Sequence, residues 1–267
     1  MDALRLSSQA FIRKLEVYLR RLPLLTKVFV GAIVCTHLVK ATGFGMIEDR
    51  WALSPGKMDL TQMHRLNSYI LVHSSLIHAL LNLIAVVPLL ERFERGVGTL
   101  KTTLLITGPL CTFPAALYLG IELFILHHDT AVIGASALAF TLLAAEAVKT
   151  SVAQPSYKIV GYDIPTAATP VFWMVLASFL WPGSSALGHF CGLVIGYAYA
   201  CRYLRLLEPS EWILTKVEQK LGFIFGRLPW YISLEKRQEL NWIEMLPSVG
   251  GNRPNSNFDQ PGRVLGV

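Results

Sequence analysis

Residues 184–201 read SSALGHFCGLVIGYAYAC. No Asp, Glu, Lys or Arg interrupts the run, and as a helix it rises about 27 Å, close to the ~30 Å of a bilayer's hydrocarbon core. Gly188, Gly192, Gly196 and Ala200 recur at four-residue intervals, a stripe of small residues where a second helix can approach closely. His189 lies three residues before Gly192 and seven before Gly196, which turns its imidazole toward whatever helix packs on the stripe. A polar side chain at that depth is costly and calls for a partner or a task.

Similar apolar runs fill much of the remaining chain. Of 267 residues, 53% are hydrophobic and 16% charged, with mean hydropathy +0.46, outside the range of a soluble globular chain. Runs of about 17–22 residues, enough to span a bilayer, fall at 22–39, 69–90, 100–119, 131–148, 164–181 and 184–201. The expected fold is all-α, a polytopic bundle of six transmembrane helices. The expected parts are a cytosolic segment over 1–21, the six-span domain over 22–205, a cytosolic amphipathic helical segment over 206–246 and a disordered tail over 247–267. No small-residue cleavage site follows the first run, which reads as a retained helix with the mature chain starting near Met1.

Positive charge orients the bundle. Arg5, Arg13, Lys14, Arg20 and Arg21 precede the first run, Arg92, Arg95 and Lys101 follow the second, Lys149 and Lys158 the fourth, and Arg202, Arg205, Lys216 and Lys220 the sixth. All four groups fall on one side of a six-span chain, and the positive-inside rule makes that side cytosolic, with both termini. The loop over 40–68 is the exception, carrying Lys40, Arg50, Lys57 and Arg65 on the opposite face. This bias and the anionic lipids of the bilayer account for the net charge of +6 without nucleic acid. Cys35, Cys111, Cys191 and Cys201 sit in or beside apolar runs with no CxxC pair, so no disulfide framework, metal centre or cofactor is expected.

In this topology the second, fourth and sixth runs enter from the non-cytosolic face. They bring His73, His78 and Asn82, then Ser136, then His189 to one level. A serine hydroxyl is a weak nucleophile until a base takes its proton, and histidine has the pKa for that task near neutrality. Ser136 as nucleophile and His189 as general base form a candidate dyad. The side chains of His78 and Asn82, with the Ser136 backbone N–H in the first turn of its helix, can donate to an oxyanion. No carboxylate within a run stands ready as a third member, since Glu146 lies at the far end of its helix. Singly, a serine or histidine in a span is more often a packing residue; the concurrence of both at one depth carries the reading. His37, His127 and His128 lack such company and read as interface or loop residues.

These residues resemble the motifs of the rhomboid intramembrane serine proteases. The matches are His78-Ala79-Leu80-Leu81-Asn82 in the second run, Gly134-Ala135-Ser136 opening the fourth, and His189-Phe190-Cys191-Gly192 in the sixth. His73 stands five before His78, Glu94 to Gly98 is similar to the family's ExxxG segment, and Arg65 takes the place of the Arg in its first-loop Trp-Arg pair. Two positions depart: Ala137 replaces the glycine after the nucleophile, and His64 replaces the tryptophan. The resemblance covers about residues 22–205 and is closest to the fungal Golgi-type members. It implies cleavage of transmembrane helices of membrane-anchored substrates, a Golgi membrane address and, among substrates, sterol-regulatory transcription-factor precursors.

Beyond the last run the pattern changes. Over 211–232, Ile213, Val217, Leu221, Ile224, Leu228 and Ile232 recur at helical spacing, which predicts an amphipathic helix on the cytosolic leaflet. In the tail, Phe258, Gly262 and Leu265 resemble the SHP box that docks adaptors on a hexameric AAA+ segregase ATPase of the valosin-containing-protein type, with Gln260 in place of its first glycine. The alternative function is therefore a non-proteolytic rhomboid-like scaffold that delivers membrane clients to that ATPase.

Overall fold

The computed structural model describes residues 2–43, 46–159, 161–181 and 183–237. In chain order the helices are α1 (Asp2–Arg21), α2 (Leu24–Ala41), α3 (Ile47–Trp51), α4 (Arg65–Ser68), α5 (Leu76–Val97), α6 (Thr99–Leu105), α7 (Cys111–Ile121), α8 (Ser136–Ala153), α9 (Thr169–Leu180), α10 (Ala186–Ala200), α11 (Glu211–Lys220) and α12 (Gly222–Phe225). Four helical stretches are long and apolar enough to cross a membrane: Leu24–Ala41, Leu76–Val97, Thr99–Leu126 and Ser136–Ala153. A fifth is reached only if Ala186–Ala200 counts together with Arg205–Lys220, from which it is bent by 86°.

The fifth expected span is shorter than its apolar run. Its first residues instead belong to an antiparallel hairpin, β1 (Ser156–Ile159) with β2 (Tyr162–Pro165), a departure from the all-α expectation. The helix proper starts at Thr169, with Pro170 in its first turn, where a missing N–H costs nothing. The second expected span also begins late: Ser75 accepts from His78 N at 3.1 Å and caps α5, so residues before it are not α-helical there. In the third, Pro109 cannot donate, and a π turn over Ile106–Leu110 joins α6 to α7. The expected amphipathic helix is α11 and the short α12, after which the chain turns back.

Side-chain contacts order the helix ends. Arg92 of α5 donates to Glu146 near the end of α8 at 2.8 Å, and the rings of Phe93 and Tyr199 of α10 lie 5.8 Å apart. Glu94 of α5, wholly buried, accepts from Leu25 N, Thr26 N, Thr26 Oγ1 and Thr99 Oγ1, each at 2.8 Å. It thereby caps α2 at the end where α5 finishes and α6 begins. One end of the bundle thus gathers the start of α2 and the ends of α5, α8 and α10, and with them Arg92, Arg95, Lys101 and Lys149.

The same end holds the chain beyond α11. Glu218 accepts from Tyr231 Oη at 2.6 Å and Leu234 N at 3.0 Å. Thr99 N donates to Ile232 O at 2.8 Å, beside Gly98. Glu211 bonds Lys101 at 2.9 Å and Arg237 at 2.7 Å.

The glycine stripe of α10 packs on α8. A Cβ at Gly192 would sit 2.3 Å from Ala137 O, and one at Gly196 would sit 2.3 Å from Thr141 O. The contacts advance together by four residues, so the two helices run parallel, backbone against backbone. Buried Leu138, Leu142, Ala145, Cys191, Val86 and Leu90 fill the core around them.

Candidate active site

Ser136 is the first residue of α8. The five residues before it are not helical; Val132 exchanges hydrogen bonds with Leu53 of the first loop at 2.9 and 3.0 Å. Gly134 N then donates to Tyr69 O at 2.9 Å. At φ +108 Gly134 adopts a conformation open mainly to glycine. A side chain there is excluded twice, because a Cβ would come within 2.9 Å of His78 Cε1, 3.0 Å of His78 Nε2 and 3.7 Å of Asn82 Nδ2. This turn therefore brings the backbone before Ser136 directly against the polar side chains of α5.

His73 completes the turn. Its Nε2 accepts from Ala135 N at 3.4 Å, and its ring meets that of His78 edge-on with centroids 5.1 Å apart. His78 Nδ1 pairs with Ser74 Oγ at 3.1 Å. Asn82 is buried and donates to His78 O at 2.9 Å, while its own Oδ1 has no protein partner. Ser136 N–H lies in the first turn of α8, where backbone donors have no intrahelical acceptor and the helix dipole is positive.

His189 follows from the stripe. With Gly192 against Ala137, the preceding turn of α10 lies beside the first turn of α8. The His189 ring packs at a tilt against Phe140, centroids 4.6 Å apart at 40°. Phe140 is one helical turn beyond Ser136 and shares its face. His189 is 3% exposed, yet neither Nδ1 nor Nε2 makes a hydrogen bond to a protein group. No Ser136–His189 bond is therefore formed; catalytic hydrogen bonds commonly tighten only around substrate.

The remaining expected residues divide between the ends. Gly188 N donates to Ser185 Oγ at 3.0 Å and starts α10 beside the site. Arg65, 5% exposed, donates to the carbonyls of Asp49 and Ala52 at 2.7 Å and to Gln62 at 2.9 Å. It thus folds the first loop that pairs with Val132. His64 bonds Arg50 O at 3.1 Å, so it braces the same loop. Glu94 and Gly98 are at the far end and touch no site residue. Phe258, Gly262 and Leu265 lie outside the described residues. Sequence reading missed Phe140 as the floor under the imidazole; its position four after Ser136 was the available signal. Among the described residues no cluster of three or more metal-ligating side chains occurs.

The fold is that of a multi-pass helical membrane protein in which Ser136, His189, His78 and Asn82 lie at the same end of the bundle. Residues 60–206 match the Rhomboid domain. The chain is 41% identical over 250 residues to rhomboid-type serine protease 2 of Gibberella zeae, covering 94% of this chain and 92% of that one. It is 40% identical over 228 residues to the Neurospora crassa protein of the same name, 84% and 82% covered. The Saccharomyces cerevisiae protein of that name is 34% identical over 251 residues, 90% and 91% covered. The chain belongs to the rhomboid family and is a serine endopeptidase.

Proposed function

We propose that the enzyme cleaves a peptide bond in or beside a transmembrane helix of a membrane-protein substrate, using Ser136 and His189. His189 takes the Ser136 Oγ proton as the oxygen attacks the scissile carbonyl. The tetrahedral oxyanion is held by Ser136 N–H, Asn82 and His78. The imidazolium then returns the proton to the leaving amine, which departs as an acyl-enzyme forms on Ser136. Water, deprotonated by His189, hydrolyses that ester. The observation that carries this reading is His189 itself, two buried ring nitrogens without a protein partner beside the first turn of α8.

A buried nitrogen without a protein partner calls for an explanation, and proton transfer supplies one for His189. With α9 and α10 counted as spans, the bundle crosses six times with the basic end in the cytosol. Substrate helices must locally unwind to expose a carbonyl, which favours helix-breaking residues near the non-cytosolic surface. From the motif resemblance to the fungal Golgi-type members we further propose a Golgi membrane address and, among the substrates, sterol-regulatory transcription-factor precursors.

The test is cleavage of a model transmembrane substrate by purified wild type, Ser136→Ala and His189→Ala in detergent. Both variants should lose at least about 10³-fold in rate. Equal product from all three rejects the dyad.

The tail over 257–267 is proposed to dock the AAA+ segregase. Its deletion should abolish co-purification of the ATPase, and unchanged recovery would refute the assignment.

A further inference from the structure

Between the first loop and α5 the chain runs without α-helix from Val72 to Ser75. Helix α2 touches this stretch, and the residue just before it, at two points one turn apart. Thr36 Oγ1 lies 2.7 Å from Leu71 O and 2.9 Å from Ile33 O of its own helix, so its one proton is shared between them. Lys40 Nζ donates to His73 O at 3.1 Å and to Ser74 O, and pairs with Glu48 of α3. Two carbonyls and a carboxylate use all three ammonium donors. Among the described residues, Lys40 is the basic residue of the exceptional first-loop group that bonds to this stretch, and its side chain is 28% exposed.

What the stretch carries gives the grip its meaning. His73 supports Ala135 N, and so the turn that aims Ser136 N–H. Ser74 Oγ lies on His78 Nδ1. With the hydroxyl donating, Nδ1 is the acceptor and Nε2 keeps the proton. Nε2 is the nitrogen aimed at Gly134, 3.0 Å from where a Cβ would be. Displacing the 73–74 backbone therefore moves two elements of the oxyanion pocket at once.

We propose that Lys40, seconded by Thr36, is a positioning residue for the oxyanion pocket. Its ammonium fixes the His73 and Ser74 carbonyls, so that His73 holds the turn before Ser136 and His78 presents Nε2–H. The proposal rests on the reading of Ser136, His78 and Asn82 given above.

The test is steady-state cleavage of a model transmembrane substrate by the purified full chain and by Lys40→Met, Lys40→Arg, Thr36→Val, Ser74→Ala and Ser136→Ala. Lys40→Met should lower kcat about 10- to 100-fold, the scale of a misplaced donor, with KM within about two-fold. Lys40→Arg keeps donors for the carbonyls and should recover most of kcat. Adding Lys40→Met to Ser74→Ala should cost less than in the wild-type background, because both act through His78. Wild-type kcat in Lys40→Met, or kcat, KM and melting temperature falling together without rescue by arginine, overturns the proposal. If Lys40→Met does not fold, unchanged kcat in both Thr36→Val and Ser74→Ala overturns it equally. A fully active Ser136→Ala would instead overturn the underlying site reading.

Discussion

Glu94 and His189 are both buried polar side chains, at opposite ends of the same bundle, and they are treated in opposite ways. The carboxylate accepts four hydrogen bonds and ties the starts of α2 and α6 to the end of α5. The imidazole has a ring beneath it and no protein partner for either nitrogen. A buried group with four protein partners holds structure together; a buried imidazole with no protein partner is left open to a water or a substrate. The Glu94 carboxylate thus binds its end of the bundle together, while the proposed reaction centre is at the end where the His189 nitrogens have no protein partner.

The contrast is broken most readily at Glu94. Glu94→Ala strands four buried or half-buried donors and should cost about 3–5 kcal/mol, read as a fall in thermal midpoint in detergent. A change under about 1 kcal/mol, typical of a surface site, would deny Glu94 its structural role. Next is the seam joining the ends: Gly192→Ala places a methyl 2.3 Å from Ala137 O and should cost about 1–3 kcal/mol, with cleavage falling as α10 moves from α8. Wild-type stability and activity would mean that the seam yields.

His189→Phe sharpens the comparison from the other side. It keeps a ring on Phe140 and removes two unpaired nitrogens, so stability should hold or rise by up to about 1 kcal/mol while cleavage is lost. A large loss of stability would show that the imidazole is a structural group after all.

The smallest effect belongs to Glu211. Hydrogen bonds from Arg237 and then Lys101 hold its carboxyl down to about 2, against 4.5 for the free group. A depressed folded pKa contributes stability above the unfolded value and loses it as pH falls from about 4.5 through about 2. The side chain is 47% exposed, so solvent screening keeps the contribution below about 1 kcal/mol. Melting curves of wild type and Glu211→Gln should differ slightly at pH 6 and converge toward pH 2.5, and a gap that widens on acidification would contradict the pairing.

The parts legible in the sequence were those set by helical period. The Gly188–Ala200 spacing places His189 on the seam, and α8 is the helix that fills it. The first-turn position of Ser136 was also readable, although the residues before it pair with the first loop instead of extending the helix. Hidden from a one-dimensional reading were contacts between a side chain and distant backbone. Glu94 reaches Leu25 and Thr26 across nearly seventy residues, and Lys40 reaches carbonyls that leave no mark in composition. The hairpin before α9 was missed because Ile164 and its neighbours are apolar enough to pass for helix, while strand pairing and Pro165 decide otherwise.

The claim that Ser136 is a nucleophile activated by His189 is tested most directly by reacting the purified protein with a fluorophosphonate and mapping the adduct by mass spectrometry. The account predicts a single adduct on Ser136, formed in wild type and lost in His189→Ala. An adduct on another serine, or equal labelling of Ser136 without His189, would contradict it.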